Sequence, residues 1–180
     1  MKRKIIFSFL LVLLLIIVTV IIFYKMNYKN LDEAIKESNI EMADIFKITE
    51  YKGHSIIIYG KDDLLSVGLI ERTLLGYRWG YGFGSKQFNE EDRMLTRAFS
   101  NLNPKEIKSD DGLVSLTFGV INDPSIEEIL IKYKDKDFTK ATIIETSKGR
   151  IWYCFSEDPV NYDPDVKLVF KDETTKYGWY

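Results

Sequence analysis

A mainly β fold with two helices, an α+β domain carried behind a single N-terminal transmembrane helix, is expected from this sequence. Three observations carry the expectation. An uncharged apolar run extends from Ile5 to Tyr24, short alternating segments bounded by turn residues fill most of the remainder, and two later stretches show helical spacing. The organisation read from this pattern is a cytoplasmic tip and anchor over 1–25, a linker over 26–30, and one β-rich globular domain over 31–180. That domain is expected to be a β-sandwich or a curved antiparallel sheet.

Lys2, Arg3 and Lys4 precede the apolar run, which only Ser8 and Thr19 interrupt. About twenty residues at a rise of about 1.5 Å span roughly 30 Å, the thickness of a hydrocarbon core. A lone segment satisfies its backbone polar groups in lipid only as a helix. A cleaved secretory signal has a shorter apolar region, about 7–15 residues, and then a small-residue cleavage site. Here the run continues into Phe23-Tyr24-Lys25-Met26-Asn27 with no A-x-A-like tripeptide, and the single cysteine, Cys154, is far from a lipoprotein position. The expectation is an uncleaved, single-pass signal-anchor that meets the lipid bilayer through Ile5–Tyr24, with Tyr24 and Tyr28 at the outer interface. More basic residues precede the span than follow it closely (Lys25 and Lys29), so the N-terminus is expected in the cytoplasm and the domain outside.

Beyond the anchor the charge balance changes sign. From Asn30 to Tyr180 there are 20 basic and 27 acidic residues, a formal charge of 20 − 27 = −7. That balance excludes the basic surface expected of a nucleic-acid binder and a polybasic lipid-binding face on the domain. One cysteine excludes an intramolecular disulfide framework, so the core must supply the stability. About 150 residues bury roughly 70% of their unfolded surface, which suffices.

In chain order, Asn30 followed by Glu33 reads as a capping box opening a short helix with Leu31, Ala34 and Ile35 on one face. Strands follow at Asp44–Tyr51 and Ser55–Tyr59 around a turn at Lys52-Gly53-His54, and from Leu65 to Arg72 after Lys61-Asp62-Asp63. The clearest period of two comes next: Tyr77, Trp79, Tyr81 and Phe83 alternate with Arg78, Gly80 and Gly82. A second helix is expected over Asn89–Asn101, capped by Asn89, acidic in its first turn, with Met94, Leu95, Ala98, Phe99 and Leu102 at helical spacing and Asn103-Pro104 closing it. Strands then recur at Leu113–Val120, Ile126–Lys134, Phe138–Thr146, Arg150–Ser156 and Val166–Lys171. Both alternating faces of Ile151-Trp152-Tyr153-Cys154-Phe155 are apolar, which predicts a central strand covered on each side.

The order Phe118-Gly119-Val120-Ile121-Asn122-Asp123-Pro124, then Ile126, Ile129 and Ile131, then Ala141 and Arg150-Ile151-Trp152-Tyr153, resembles uncharacterised small exported or membrane-anchored proteins of low-GC Gram-positive bacteria. The resemblance covers about the last seventy residues. It implies an extracytoplasmic location and transfers no catalytic residue.

Two surfaces are candidates for binding. Tyr77, Trp79, Tyr81 and Phe83 form an aromatic row able to stack on flat ligands, opposite glycines that permit close approach; as strand aromatics they equally suit a core. Trp179 and Tyr180 are ambiguous in the same way. Asp158, Asn161, Asp163 and Asp165 offer oxygen ligands for calcium, although the glycine and closing glutamate of an EF-hand are absent and an acidic, proline-bearing loop is the simpler description. Catalysis has little support. His54 is the only histidine, Gly82-Phe83-Gly84-Ser85 lacks the second glycine of a nucleophile elbow, Cys154 lies in an apolar strand, and Asp110-Asp111 precedes Gly112 as a turn does. The expected function is therefore a non-catalytic, membrane-tethered domain that binds a protein or cell-envelope component, with no cofactor implied. The alternative is an envelope glycan hydrolase using unassigned carboxylates.

Overall fold

The computed structural model describes residues 2–25, 27–36, 44–90, 92–104 and 112–178. The protein is mainly β, with antiparallel sheets and, among the described residues, two helices, α1 (Lys2–Lys25) and α2 (Leu31–Lys36). Two compact units are distinguished: Met1–Ile40 with Ile70–Trp79, and Glu41–Leu69 with Gly80–Tyr180.

In the first unit, α1 is long and apolar enough over Ile6–Lys25 to cross a membrane, and none of that stretch is buried. The capping box at α2 is formed: Asn30 Oδ1 accepts from the Glu33 amide at 2.8 Å, and Glu33 Oε2 accepts from the Lys29 amide at 3.2 Å. The first bond occupies an amide that a helix start leaves without an internal partner, and the second ties down the residue before the cap. Between the helices Tyr28 exchanges both backbone hydrogen bonds with Tyr77, at 2.7 and 2.8 Å. Gly76 makes that approach possible. Its φ is 131°, and a Cβ there would come 2.1 Å from the Tyr28 carbonyl oxygen. Glu71 and Arg78 form an ion pair with both side chains nearly buried.

The second unit is built from stacked sheets. Strands β1 (Asp44–Tyr51), β2 (His54–Lys61), β3 (Leu64–Thr73) and β4 (Gly76–Lys86) lie in sequence order in the first sheet, the tip of the β3–β4 hairpin belonging to the first unit. The second sheet has the order β5 (Ala98–Leu102), β6 (Val114–Ile121), β10 (Gly149–Ser156), β9 (Thr142–Thr146). The third has the order β12 (Thr175–Tyr177), β11 (Asp165–Phe170), β7 (Ile126–Lys132), β8 (Thr139–Lys140).

Strand alternation divides the apolar residues between two cores. One joins Ile56, Ile58, Leu65, Val67 and Leu69 to Leu116, Phe118, Val120, Ile151 and Tyr153. The other joins Trp152 and Cys154 to Ile126, Ile129, Ile131, Val166 and Leu168. The second sheet is thus covered on both faces, as the all-apolar β10 predicts, and the arrangement has three sheet layers where a sandwich has two. On β6, Ser115, Thr117 and Gly119 are small and alternate with Leu116, Phe118 and Val120 of the first core, and all six are buried; Ile121 at the strand end joins the second core. The large Trp152 and Tyr133 side chains belong to that same core.

The structure corrects the helix expected over Asn89–Asn101. That stretch is a turn-rich connection leading into β5, which pairs antiparallel with β6 from Ala98↔Phe118 to Leu102↔Val114. Its backbone groups find partners across the chain that outweigh local spacing. Asn122 Nδ2 donates to the Glu90 and Arg93 carbonyls, each at 2.8 Å, and Met94 O accepts from the Asn122 and Asp123 amides. The Thr96 amide donates to Val120 O at 2.9 Å. The strand expected over Phe138–Thr146 is split. Buried Ala141 donates its amide to Ile129 O at 2.8 Å, where the chain passes from β8 in the third sheet to β9 in the second. Strand β12 carries no sequence signal.

Candidate functional site

Polar and aromatic groups converge on a groove of about 420 Å³ across the end of β10, within the second unit. Three segments distant in sequence line it: Tyr51 at the end of β1, Tyr133 to Thr142 around β8, and Tyr153 on β10 through to Asp158 just beyond it. The Tyr51 ring stacks on Phe155 with centroids 4.1 Å apart and planes 4° from parallel, and Tyr153 meets Phe155 edge-on at 5.4 Å. Lys52 Nζ sits 5.7 Å from the Tyr51 centroid and donates to the carbonyls of Leu113 and Glu157 at 3.1 and 3.0 Å. At the rim Lys136 pairs with Glu157 at 3.3 Å and with Asp158 at 3.8 Å. These exposed pairs add little stability but set a mixed-charge border around an aromatic shelf.

The floor is inert. The Tyr133 hydroxyl donates to Cys154 O at 2.8 Å and lies 3.0 Å from Thr117 Oγ1. Burial is the main cause that pushes the Tyr133 hydroxyl far above the usual tyrosine range. Burial likewise pushes the Cys154 thiol up to about 11, partly opposed by its contact with Tyr133. A thiol so held is protonated at neutral pH and is a poor nucleophile. Two outcomes follow. A thiol reagent at neutral pH is expected to modify Cys154 only after unfolding, and rapid modification of the folded chain would show an open site. Stability is expected to hold up to about pH 9, the thiol's ordinary value, and to fall as pH rises toward 11, because the unfolded thiol ionises first. Denaturant titrations across that range check the sign.

The aromatic row on β4 is only partly covered. Tyr77 and Trp79 are half-buried in the first unit, whereas Tyr81 and Phe83 of the second are 47% and 36% exposed. Phe83 also meets Phe118 edge-on at 6.4 Å. Strand β4 is the last of its sheet, and Tyr28 covers its edge at Tyr77.

The calcium candidates are not gathered into one ligand set; among the described residues no three of His, Cys, Asp and Glu converge to hold a metal ion. Asp163 instead clasps Arg97, with Arg97 Nε donating at 3.0 Å and its terminal nitrogen at 2.5 Å. Asp158 faces Lys136, and Asn161 and Asp165 are exposed. Asp163 and Asp165 do share a second hollow with Lys132, Phe138 and Tyr177. His54 opens β2 opposite Tyr51, and Cys154 is buried in the second core. Asp110, Asp111, Trp179 and Tyr180 lie outside the described residues.

Sequence reading missed the groove because no local pattern encodes it; Tyr51 and Phe155 become neighbours only through the stacking of sheets. Comparison with protein-family models, with curated proteins and with solved structures finds no match for this chain.

Proposed function

We propose that this chain is a single-pass, membrane-tethered, extracytoplasmic domain without catalytic function that binds a protein or another cell-envelope component. The observation that carries the reading is α1. From Ile6 to Lys25 it is apolar and uncovered by any described residue, and a bilayer is the environment that removes such a surface from water. The length of the run and the absence of a small-residue cleavage site favour a retained anchor over a removed signal. Lys2, Arg3 and Lys4 favour a cytoplasmic N-terminus, and the resemblance to small exported proteins of low-GC Gram-positive bacteria supports the same orientation. Exposed Tyr81 and Phe83 on an edge strand, and the aromatic shelf of the groove, support binding as the activity.

Protease treatment of intact cells, or of protoplasts where a wall blocks access, tests the topology. Digestion of the domain beside intact cytoplasmic controls is the expected result. Full protection beside a digested extracellular control would place the domain in the cytoplasm and end this reading. For binding, a photo-crosslinking residue at Tyr81 is expected to yield an envelope adduct that one at exposed Glu127 does not; equal labelling at both positions counts against a β4 binding face.

A further inference from the structure

We infer that the tip of the β3–β4 hairpin is a second membrane contact, with Leu74 and Leu75 entering the interfacial layer of the bilayer that holds α1. The inference rests on the reading of α1 as an anchor and adds a site to it. Two-residue hairpin turns ordinarily take Gly, Asn or Asp, which tolerate the backbone bend and face water well. Here the turn is Leu74-Leu75, and these leucines are 105% and 52% exposed. Packing among the described residues gives no reason for apolar residues at those positions.

The tip is tied to the end of the apolar helix. Asn27 Nδ2 donates to Phe23 O in the last turn of α1 at 2.7 Å, and the Thr73 hydroxyl donates to Asn27 Oδ1 at 2.6 Å. The Leu75 amide donates back to Thr73 Oγ1 at 3.2 Å, which fixes the turn to that relay. On the other side of the turn, the Tyr28–Tyr77 bridge and the close fit of Gly76 against Tyr28 hold β4 to the same stretch of chain. A bilayer whose boundary lies near Tyr24 therefore lies close to the hairpin tip. The surroundings match that boundary. Tyr24 is exposed and Tyr28 and Tyr77 half-buried, the amphipathic rings favoured at headgroup depth, and Lys25, Lys29 and Arg72 are exposed cations suited to anionic headgroups. Lipid is also the one occupant present wherever the anchor is inserted. Two points of attachment, a span and a loop, would restrict rotation of the hairpin about the helix end.

The test uses the full chain in phosphatidylcholine–phosphatidylglycerol vesicles, spin-labelled at Leu74→Cys or, separately, Leu75→Cys. Cys154 is buried and stays unlabelled in the folded protein. Accessibility to molecular oxygen against a water-soluble nickel chelate reports depth, with Leu14→Cys as the reporter within the span and Glu127→Cys as the aqueous reference. Labels at 74 and 75 are expected to collide several-fold more with oxygen relative to the chelate than the label at 127 does. Tip labels as accessible to the chelate as the one at 127, with the label at 14 shielded, would overturn the inference and leave the anchor standing. A label at 14 open to the chelate would overturn both.

Discussion

Replacing Trp152 by alanine is expected to lower the stability of the folded chain by about 3–5 kcal/mol, the range for emptying a large buried aromatic site. Trp152 is 1% exposed, sits on the central strand of the central sheet, and belongs to the second core with Ile129, Ile131 and Val166. Its neighbours are held by ladder hydrogen bonds on both sides, since β10 pairs with β6 and with β9, so the site cannot collapse cheaply. The indole also donates Nε1–H to Thr96 O at 3.2 Å. Trp152→Phe keeps most of the volume but removes that donor, and should cost about 1–3 kcal/mol. Guanidinium unfolding of the detergent-solubilised full chain distinguishes the two. Equal midpoints for Trp152→Ala and the parent would mean that the second core is not closed over this residue.

Gly119→Ala is expected to be nearly as damaging although it adds one carbon, with a cost toward the upper end of the roughly 1–3 kcal/mol typical of overpacking. The added methyl would lie 1.9 Å from Thr96 O and 2.7 Å from both the Thr96 carbonyl carbon and Trp152 Nε1. Two of those three atoms are backbone, and the backbone there is pinned: the Thr96 amide donates to Val120 O at 2.9 Å and the Val120 amide donates to Thr96 Oγ1 at 2.8 Å. Thr96 Oγ1 in turn donates to Gln87 Oε1 at 2.8 Å. Making room means breaking that cluster or moving the indole. Gly149→Ala is the informative contrast, because nothing lies within 4 Å of its added carbon and its φ of 107° alone opposes a side chain. A loss confined to Gly149→Ala would show that the Thr96 segment yields freely. Because Gly119 and Trp152 oppose each other across β6 and β10, the effects of changing both are expected to be non-additive.

Both predictions concern the segment where local sequence pattern misleads. Met94, Leu95, Ala98 and Phe99 follow helical spacing, yet Thr96 is fixed to β6 and Trp152 and the chain after it becomes β5. Helical spacing records only which residues are apolar. The alternative partners, Asn122 for the Glu90 and Arg93 carbonyls and β6 for the strand, are supplied by residues well beyond the reach of a helical turn, and they satisfy the backbone as a helix would.

Features whose signals are local were legible in the amino-acid order. The apolar run was one, because spanning length and charge are properties of one segment. The capping box at Asn30 and Glu33 was another, because its donors and acceptors are three or four residues apart. Strands β1 to β4 followed from turns and alternation, and the double coverage of β10 from its two apolar faces. Whatever depends on partners far along the chain was settled by tertiary packing. Packing divided the strands among three sheets, moved the chain between sheets at Ala141, and turned an expected helix into an edge strand. It paired Asp163 with Arg97 and brought Tyr51 onto Phe155 to make the groove. It also set the Leu74-Leu75 turn beside the end of α1, through Asn27 and Tyr28. Periodicity specifies which face of a strand is buried; which surface covers it is decided by packing among all the strands at once, and no short window of sequence contains that information.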